Sequence, residues 1–334
     1  MTEPPTELVA VDAGGTSTRA VVARPPGQCL GYAVAGSGNP TAVGPEIAAA
    51  SVAESVIGAL SRADVPAARI RLIVLAMAGA GTTAVAAQIR GRLAGAGLDA
   101  PLVFESDLLA TYFSGTHQRD GYAVIAGTGA GAIRVEDGRQ AAVADGLGWL
   151  LGDEGSGFWI GRRVVRAALA GLDGRGPPTA LTPLLLARLG VPAPSDAGDR
   201  GPIAAAVRAL YAGPPVRLAD YAGLAFEAGR DRTAGRILDD AAAALARTLS
   251  AVRSPAVSGP LVLGGGILGR GPEVAGRLAA AAGAAEVHAV ADGAAGVCVL
   301  ALRRAGTYVD AAVFRQLTAS LAAVRRRSPG GLLS

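Results

Sequence analysis

A carboxylate followed by a turn rich in glycine and hydroxyl groups stands near the start of the chain. Asp12 ends an apolar run, and Gly14, Gly15, Thr16 and Ser17 follow it. Glycines let backbone N–H groups approach a phosphate without a Cβ in the way, hydroxyls add donors, and a carboxylate can hold Mg²⁺ directly or through water. A plain β-hairpin accounts for the same residues, so this stretch alone leaves both interpretations open.

Two further glycine turns follow apolar runs later in the chain. Gly127, Thr128 and Gly129 lie in "IAGTGAGAI", and residues 264–266 form the triple glycine of "LVLGGGILG". The first of these could face the Asp12 turn across a cleft and hold one polyphosphate with it. The triple glycine allows close approach of a flat ligand, or simply makes a tight strand-to-helix turn. The chain contains no Lys, which excludes mechanisms that need a P-loop or Schiff-base lysine.

Asp107 stands where a predicted strand ends and a helix begins, in "FESDLLAT". In open α/β sheets, ligands bind at the carboxyl ends of the strands. A carboxylate placed there can accept a proton from a hydroxyl nucleophile. The alternative is that Ser106 or Asp107 only caps the helix.

The segment "DGLGWLLGDEGSGFWIG", residues 145–161, concentrates glycines, both Trp residues and an Asp-Glu pair ahead of an amphipathic helix. Carboxylates accept hydrogen bonds from sugar hydroxyls, and nearby N–H groups donate, so the segment is typical of a site for a hydroxyl-rich ligand. Asn39, in "GSGNPT", carries an amide that also suits ring hydroxyls. Asn-Pro is equally an ordinary turn.

The order of predicted elements repeats along the chain. Residues 7–36 read as three strands with a glycine turn after the first, and residues 121–145 follow the same plan. The pattern predicts helices and strands at the following positions: helices at about 45–62, 83–95 and from 107, strands at 69–77 and 101–106, mostly helix over 155–253, and closing helices at about 293–304 and 309–327. We therefore expect two related α/β domains, at 1–116 and 117–308, with the last helix packing back on the first.

Composition narrows the functional classes. The chain has 334 residues, of which 51% are hydrophobic, and this is enough to form the cores of two domains. It contains no long uninterrupted apolar run of the kind that predicts a membrane span. The N-terminal "MTEPPTE" lacks the basic region of a signal peptide, so we expect a cytoplasmic protein. The net charge of +4 is scattered, which disfavours nucleic-acid binding, and the run Arg325–Arg327 fits an exposed helix end. The two Cys and two His are isolated, which disfavours a disulfide framework and a zinc site.

The order of these motifs over residues 8–305 resembles the N-acetylglucosamine kinase branch of the BadF/BadG/BcrA/BcrD-type ATPase family, and "GDEGSGFWIG" is the most specific part. The resemblance implies two ribonuclease-H-like domains of the actin/hexokinase type, ATP and Mg²⁺ as cofactors, and a homodimer. It implies Asp107 as the catalytic base and Asp12 as the carboxylate associated with Mg²⁺. It places the nucleotide at Gly14, Gly15, Thr16, Ser17, Gly127, Thr128, Gly129, Gly264, Gly265 and Gly266, and the sugar at Asn39, Asp107, Gly146, Leu147, Gly148 and Asp153.

The chain departs from the family pattern beside the sugar site. The common form carries Gly-Trp-Gly, whereas here Leu147 takes the Trp position and Trp149 lies two places later. The implied reaction is phosphorylation of N-acetylglucosamine on its 6-hydroxyl, with glucosamine and N-acetylmuramic acid as alternatives. A 2-hydroxyacyl-CoA dehydratase activator is less consistent with the positions of Cys29 and Cys298, and a non-catalytic sugar sensor would not need Asp107.

Overall fold

The computed structural model describes residues 6–77, 83–196 and 198–328. Within these ranges the chain forms two five-stranded mixed sheets with helices packed on them, which confirms the predicted α/β class. The described helices include none that is long and apolar enough to cross a bilayer.

Each sheet is built to the same plan, which confirms the predicted duplication. The strands are β1 (Glu7–Ala13), β2 (Thr18–Arg24), β3 (Gln28–Ala35), β4 (Ile70–Met77), β5 (Leu102–Glu105), β6 (Gly121–Ala126), β7 (Ala130–Glu136), β8 (Arg139–Asp145), β9 (Leu261–Gly264) and β10 (Val287–Ala289). The first sheet has the order β3-β2-β1-β4-β5, and the second has β8-β7-β6-β9-β10. In both, an antiparallel meander of three strands is extended by two parallel strands.

The burial of the central strands follows from their composition. All seven residues of β1 are buried, as expected for a strand covered on both faces. Its alternate side chains enter different cores: Leu8 and Ala10 face the space between the two sheets, whereas Val9 and Val11 face the outer helices. The edge strand β8 is mostly exposed or half-buried.

Helices cover the sheets and lie between them. They are α1 (Pro40–Val43), α2 (Pro45–Ala63), α3 (Thr83–Gly95), α4 (Asp107–Gly115), α5 (Gly157–Leu172), α6 (Leu181–Leu189), α7 (Gly201–Tyr211), α8 (Leu224–Glu227), α9 (Arg232–Val252), α10 (Gly266–Arg270), α11 (Pro272–Ala282), α12 (Ala294–Arg304) and α13 (Ala311–Arg327), with short 3₁₀ turns at Ala67–Arg69 and Pro215–Tyr221. Side-chain caps begin the long helices α9 and α13: Asp231 accepts from two N–H groups of α9, and Asp310 does the same for α13. Each cap satisfies N–H groups that the helix itself cannot.

Three hydrophobic cores result from this layering. The outer face of the first sheet packs on α2 and α3, and that of the second packs mainly on α5 and α9. The central core lies between the sheets and contains α4, α12 and α13. It also holds both cysteines, Cys29 on β3 and Cys298 on α12.

The two central helices exchange partners. Helix α4 follows the first sheet in sequence but packs on β6 and β9, whereas α12 follows the second sheet and packs on β1 and β4. Helix α13 packs on β3, where Ser320 Oγ accepts from the Cys29 N–H at 2.9 Å. The boundary between 1–116 and 117–308 stays a prediction, because α12 belongs to one range by sequence and to the other by packing.

The two central helices cross in contact. A Cβ built on Gly296 of α12 would lie 1.7 Å from the carbonyl oxygen of Ala110 on α4. At the same point the Gly296 N–H donates to Ser114 Oγ at 2.8 Å. Only glycine allows this backbone approach.

We expect Gly296→Ala to destabilise the protein by about 3 kcal/mol, because the new methyl group overlaps the α4 backbone. The measurement is chemical denaturation. The matched control is Gly276→Ala in α11, where a Cβ meets nothing within 4 Å. That control should gain about 0.5–1 kcal/mol through helix propensity. Equal stability of both variants would contradict the described crossing.

Candidate active site

The first two glycine turns face each other across a cleft between the two sheets. The pairing of Ala13 with Thr18 leaves residues 14–17 as the first turn, closed by a Gly14 N–H to Ser17 O hydrogen bond of 3.1 Å. Gly15 and Thr16 at its tip are exposed. A Cβ built on Gly15 would lie 3.6 Å from Thr128 Oγ1 in the second turn.

The second turn, residues 127–129, is held from three sides. Its Gly127 N–H donates to Gly129 O at 2.9 Å, and Gly127 O accepts from the Gly157 N–H at the start of α5 at 2.6 Å. A Cβ on Gly129 would lie 2.8 Å from Asp153 Oδ2, and one on Gly265 would lie 2.8 Å from Gly127 N. The turn therefore touches both the segment around Asp153 and the triple glycine.

The triple glycine joins β9 to α10, and its members differ in their surroundings. Gly264 is the last residue of β9, and a Cβ there would lie 2.5 Å from Thr111 Cγ2. Gly265 has a φ of +88° and packs on the Ala126 carbonyl oxygen. Gly266 meets nothing within 4 Å. Packing thus requires the first two glycines, whereas the third is exposed.

Asp12 lies buried at the base of the first turn. Its Oδ2 accepts from the Gly293 N–H at 2.9 Å and lies 3.8 Å from Arg19 Nη1 on the neighbouring strand. Burial raises the pKa of Asp12 to about 6, the Asp292 charge adds to the rise, and Arg19 and the Gly293 N–H act against it. The nearby Asp107 charge makes a smaller contribution in the same direction as burial.

Asp107 begins α4 at the same edge of the first sheet. Ser106 is the N-cap, and its Oγ accepts from the Leu109 N–H at 3.4 Å. The capping alternative is therefore satisfied by Ser106, and one Asp107 side-chain oxygen accepts from the Leu108 N–H at 2.9 Å. Burial raises the pKa of Asp107, and the N–H groups of Leu108 and of Asp107 itself act against it.

Sequence reasoning did not single out Asp292. It lies between β10 and α12, where its Oδ1 accepts from the Ala294 N–H at 3.0 Å. The internal repeat contained the signal, because Asp292 follows the fifth strand of the second sheet just as Asp107 follows the fifth strand of the first. Both carboxylates thus stand before a central helix and face Asp12.

This set of carboxylates suits a cation that is partly coordinated by another ligand. Asp12 and its two acidic neighbours raise the local negative charge, and oxygen ligands are those that Mg²⁺ prefers. Within residues 6–77, 83–196 and 198–328 no group of three or more His, Cys, Asp or Glu side chains is arranged to hold a metal ion. Asp12 is the residue here that fits a magnesium bound to a nucleotide.

Asp153 joins the glycine-rich segment to the second turn. It is buried, has a φ of +57°, and its Oδ1 accepts from the Ala130 N–H at 3.2 Å. Burial raises the pKa of Asp153, the N–H groups of Ala130 and Gly148 act against it, and the Asp145 charge adds to the rise.

Asp145 orients this segment and was not among the predicted site residues. Its two carboxylate oxygens accept from the N–H groups of Asp153 and Glu154 at 2.7 and 2.9 Å. Because Asp145 ends β8 with a φ of +62°, the chain turns back and closes a loop over residues 146–152. Asp145 is the first residue of the glycine-rich segment 145–161, but its hydrogen bonds to the N–H groups of Asp153 and Glu154 could not be predicted from the sequence.

The loop presents its apolar side chains outward. Gly146 and Gly148 have φ values of +73° and +84°, and Leu147 between them is 66% exposed. Trp149 instead packs on Phe158 of α5, with ring centroids 5.2 Å apart. Trp149 therefore anchors the loop on α5 and does not take the place of a Trp at position 147.

Asn39 lies on the other half, beside the first turn. Its Oδ1 accepts from the Thr41 N–H at 2.9 Å and caps α1, as the turn alternative expected. The preceding Gly38 N–H donates to Gly14 O at 3.1 Å, which ties this segment to the first turn.

Comparison with known proteins agrees with this architecture. The model of the BadF/BadG/BcrA/BcrD ATPase family matches residues 9–301. The chain belongs to this family. The match covers both sheets and each of the three glycine turns, so the family assignment applies to the whole cleft.

Among curated relatives are three sugar kinases. A glucosamine kinase of Vibrio cholerae is 30% identical over 53% of this chain and 60% of its own length. An N-acetylmuramic acid/N-acetylglucosamine kinase of Clostridium acetobutylicum is 27% identical over 52% and 57%, and an N-acetyl-D-glucosamine kinase of Dictyostelium discoideum is 28% identical over 54% and 60%. The chain thus spans less than two thirds of the length of each of these relatives.

Solved structures support the fold. One from Chromobacterium violaceum, provisionally named an N-acetylglucosamine kinase, has a TM-score of 0.72 at 24% identity over 89% of this chain and 99% of that chain. A ROK family glucokinase from Streptomyces griseus, in complex with glucose and AMPPNP, has a TM-score of 0.54 at 22% identity over 89% and 99%. At these identities the likeness shows a shared fold.

We expect Asp12→Asn to stabilise the protein in the absence of nucleotide and metal. The folded state raises the Asp12 pKa from 3.8 to about 6, so folding favours the protonated form. Wild type therefore loses stability as the pH rises through this window, and by about 2–3 kcal/mol above it.

Denaturation at about pH 8 and about pH 4 tests this expectation. The variant should exceed wild type at the higher pH and match it at the lower one. Glu273→Gln, at an exposed carboxylate of α11, is the control and should show no such rise. An Asp12→Asn variant less stable than wild type at the higher pH would contradict the described burial.

Proposed function

We propose that this protein transfers the γ-phosphoryl group of ATP to a hydroxyl of an amino sugar. The observation that carries the proposal is the facing of the two glycine turns, in which a Cβ built on Gly15 would lie 3.6 Å from Thr128 Oγ1, with Asp107 at the same cleft. Family membership supports ATP as the phosphoryl donor. The named activities of the three curated relatives support an amino sugar as the acceptor.

The residues of the two turns would grip the phosphates from opposite sides. Gly15, Thr16 and Thr128 are exposed residues of these turns, so their backbone N–H groups would be available to phosphate oxygens. The hydroxyls of Thr16, Ser17 and Thr128 would add donors. Mg²⁺, when bound, neutralises charge between the phosphates, and Asp12 would hold it directly or through water. Phosphoryl transfer depends mainly on such positioning and charge neutralisation.

Asp107 would act as the general base. Its carboxylate is half-buried at the start of α4, and burial raises its pKa, which brings it nearer to the operating pH. It would accept the proton of the attacking hydroxyl as the oxygen approaches the γ-phosphorus. By resemblance to the family, that hydroxyl is the 6-hydroxyl of N-acetylglucosamine.

The sugar would lie between the two halves of the cleft. Asn39 would contact it from the first half, and Gly146, Leu147, Gly148 and Asp153 from the second. Because Asp153 also accepts from Ala130 beside the second phosphate turn, binding of sugar and phosphate would be mechanically linked. Glucosamine and N-acetylmuramic acid are the other acceptors that the names of the relatives suggest.

The cytoplasmic location and the homodimer are proposals that rest on sequence and family resemblance alone. Sedimentation of the purified protein measures the second of these directly.

An ADP-release screen tests the proposed activity. The panel contains glucose, glucosamine, N-acetylglucosamine and N-acetylmuramic acid, each with Mg²⁺ and ATP. We expect ADP release that depends on at least one amino sugar, with N-acetylglucosamine the best acceptor. If ADP forms with none of them while the nucleotide binds, the protein is a sensor on a kinase scaffold and the proposal fails.

We expect Asp107→Asn to lower kcat by about 10²–10⁴, the range for loss of a general base. Affinity for ADP should stay within about two-fold, because the described hydrogen bond of the Asp107 side chain is to the Leu108 N–H of its own helix. Asp240→Asn, an exposed carboxylate of α9 that pairs with Arg163 at 3.4 Å, is the control and should keep full turnover. Near-normal turnover of Asp107→Asn would show that another group takes the proton.

We expect Leu147→Trp to change the choice of acceptor, because this position carries Trp in the family pattern and lies in the loop that Asp145 and Asp153 hold. The ratio of kcat/KM for N-acetylglucosamine to that for glucosamine should shift about ten-fold or more. Leu150→Trp, on the same loop and 75% exposed, should leave the ratio within about two-fold. An equal effect of both variants would assign the change to loop distortion.

A further inference from the structure

Four side chains of alternating charge run from the first phosphate turn to the last helix. Arg19 Nη1 lies 3.8 Å from Asp12 Oδ2, and Arg19 Nε lies 3.4 Å from Asp292 Oδ2. The other oxygen of Asp292 lies 2.6 Å from Arg325 Nη2 in the last turn of α13. Residues from both ends of the chain and from the second sheet thus meet at one side of the cleft.

This arrangement is largely shielded from water. The side chains of Asp12 and Asp292 are each 11% exposed, and that of Arg19 is 26% exposed. Charges at such positions interact more strongly than at the surface, because water screens them less. Removing one member therefore leaves its neighbour with an uncompensated charge.

Arg325 is fixed by more than its ion pair. Its guanidinium lies 5.2 Å from the centre of the Tyr32 ring, and α13 is fastened beside it by Ser328 Oγ, which donates to Tyr32 O at 3.1 Å. Arg325 Nε is buried without a hydrogen-bond partner, the single such side-chain atom in the described part of the chain. Burial of Nε without a partner costs free energy, and the protein tolerates this cost where Arg325 Nη2 contacts Asp292.

Arg19 lies between two carboxylates and can favour either. It pairs in register with Asp12 across β1 and β2, but its contact with Asp292 is the shorter of the two. Without Arg325, Asp292 would lose the contact that fixes its position, and its hold on Arg19 would weaken. Without Asp292, Arg19 would turn fully onto Asp12 and compete with a bound cation.

We propose that Asp292 and Arg325 are positioning residues for the metal side of the site: Arg325 holds Asp292, and Asp292 holds the Arg19 guanidinium beside Asp12. The inference rests on the proposed function, because it assigns Asp12 to the magnesium of the nucleotide. It makes α13 a support of the nucleotide site through the contact of Arg325 with Asp292.

Calorimetric titration of ADP, with MgCl₂ and separately with EDTA, tests the proposal on the full-length protein. For Arg325→Met we expect the Kd for ADP in the presence of MgCl₂ to rise about ten-fold, and the Kd in EDTA to stay within about two-fold. Arg325→Lys, which keeps the charge, should recover most of the loss. Arg326→Met, at the exposed neighbouring position of α13, should behave as wild type.

Asp292→Asn provides a second route if loss of Arg325 prevents folding. It should weaken ADP binding in MgCl₂ as Arg325→Met does, again without a matching change in EDTA. A variant that melts at a lower temperature but keeps the wild-type ratio of the two Kd values would show a structural role only and overturn the proposal.

The outcome for wild type separates this proposal from the proposed function. If wild type binds ADP no more tightly with MgCl₂ than with EDTA, the assignment of Asp12 to the metal fails, and the positioning proposal fails with it, whereas the proposed phosphoryl transfer is decided by the ADP-release screen. If wild type shows the magnesium effect and both variants retain it, the positioning proposal alone is wrong. The titration needs no sugar, so the choice of acceptor does not enter.

Discussion

The crossing of α4 and α12 is the constraint on which the cleft depends. The close approach of Gly296 to Ala110 lets the two helices pass between the sheets with their backbones in contact. Each helix then begins at the cleft, so Asp107 and Asp292 come to face Asp12. The Gly293 N–H reaches Asp12 Oδ2 only because α12 crosses to the first sheet. A bulkier residue at the crossing would separate the carboxylates along with the sheets.

The exchange of α4 and α12 between the sheets explains how the two glycine turns come to face each other. Each glycine turn belongs to its own sheet and is closed by its own hydrogen bond, so neither needs the other to form. Their facing positions follow from the central core, which fixes the two sheets relative to one another. The facing of the two turns is therefore a property of the packed pair, and a change in the central core would alter it without touching a turn residue.

Local signals in the sequence predicted most of the fold. Apolar runs, glycine turns and the repeat between residues 7–36 and 121–145 indicated both sheets, because strands and turns depend on neighbouring residues. The repeat also indicates Asp292, because Asp292 follows the fifth strand of the second sheet as Asp107 follows the fifth strand of the first. Arg325 carried no such signal, because its partner lies 33 residues away and the run Arg325–Arg327 reads as an exposed helix end. The role of Asp145 depended on a positive φ and on two N–H groups that no spacing reveals.

The Leu147 side chain is not needed to hold the loop, because other residues do so. Asp145 binds the N–H groups at its far end, Asp153 binds Ala130, and Trp149 packs on Phe158. Leu147 contributes little to this framework, since most of its side chain is exposed. The backbone of the loop is thus independent of the side chain at position 147, and a change there leaves the two glycine turns and Asp107 in place.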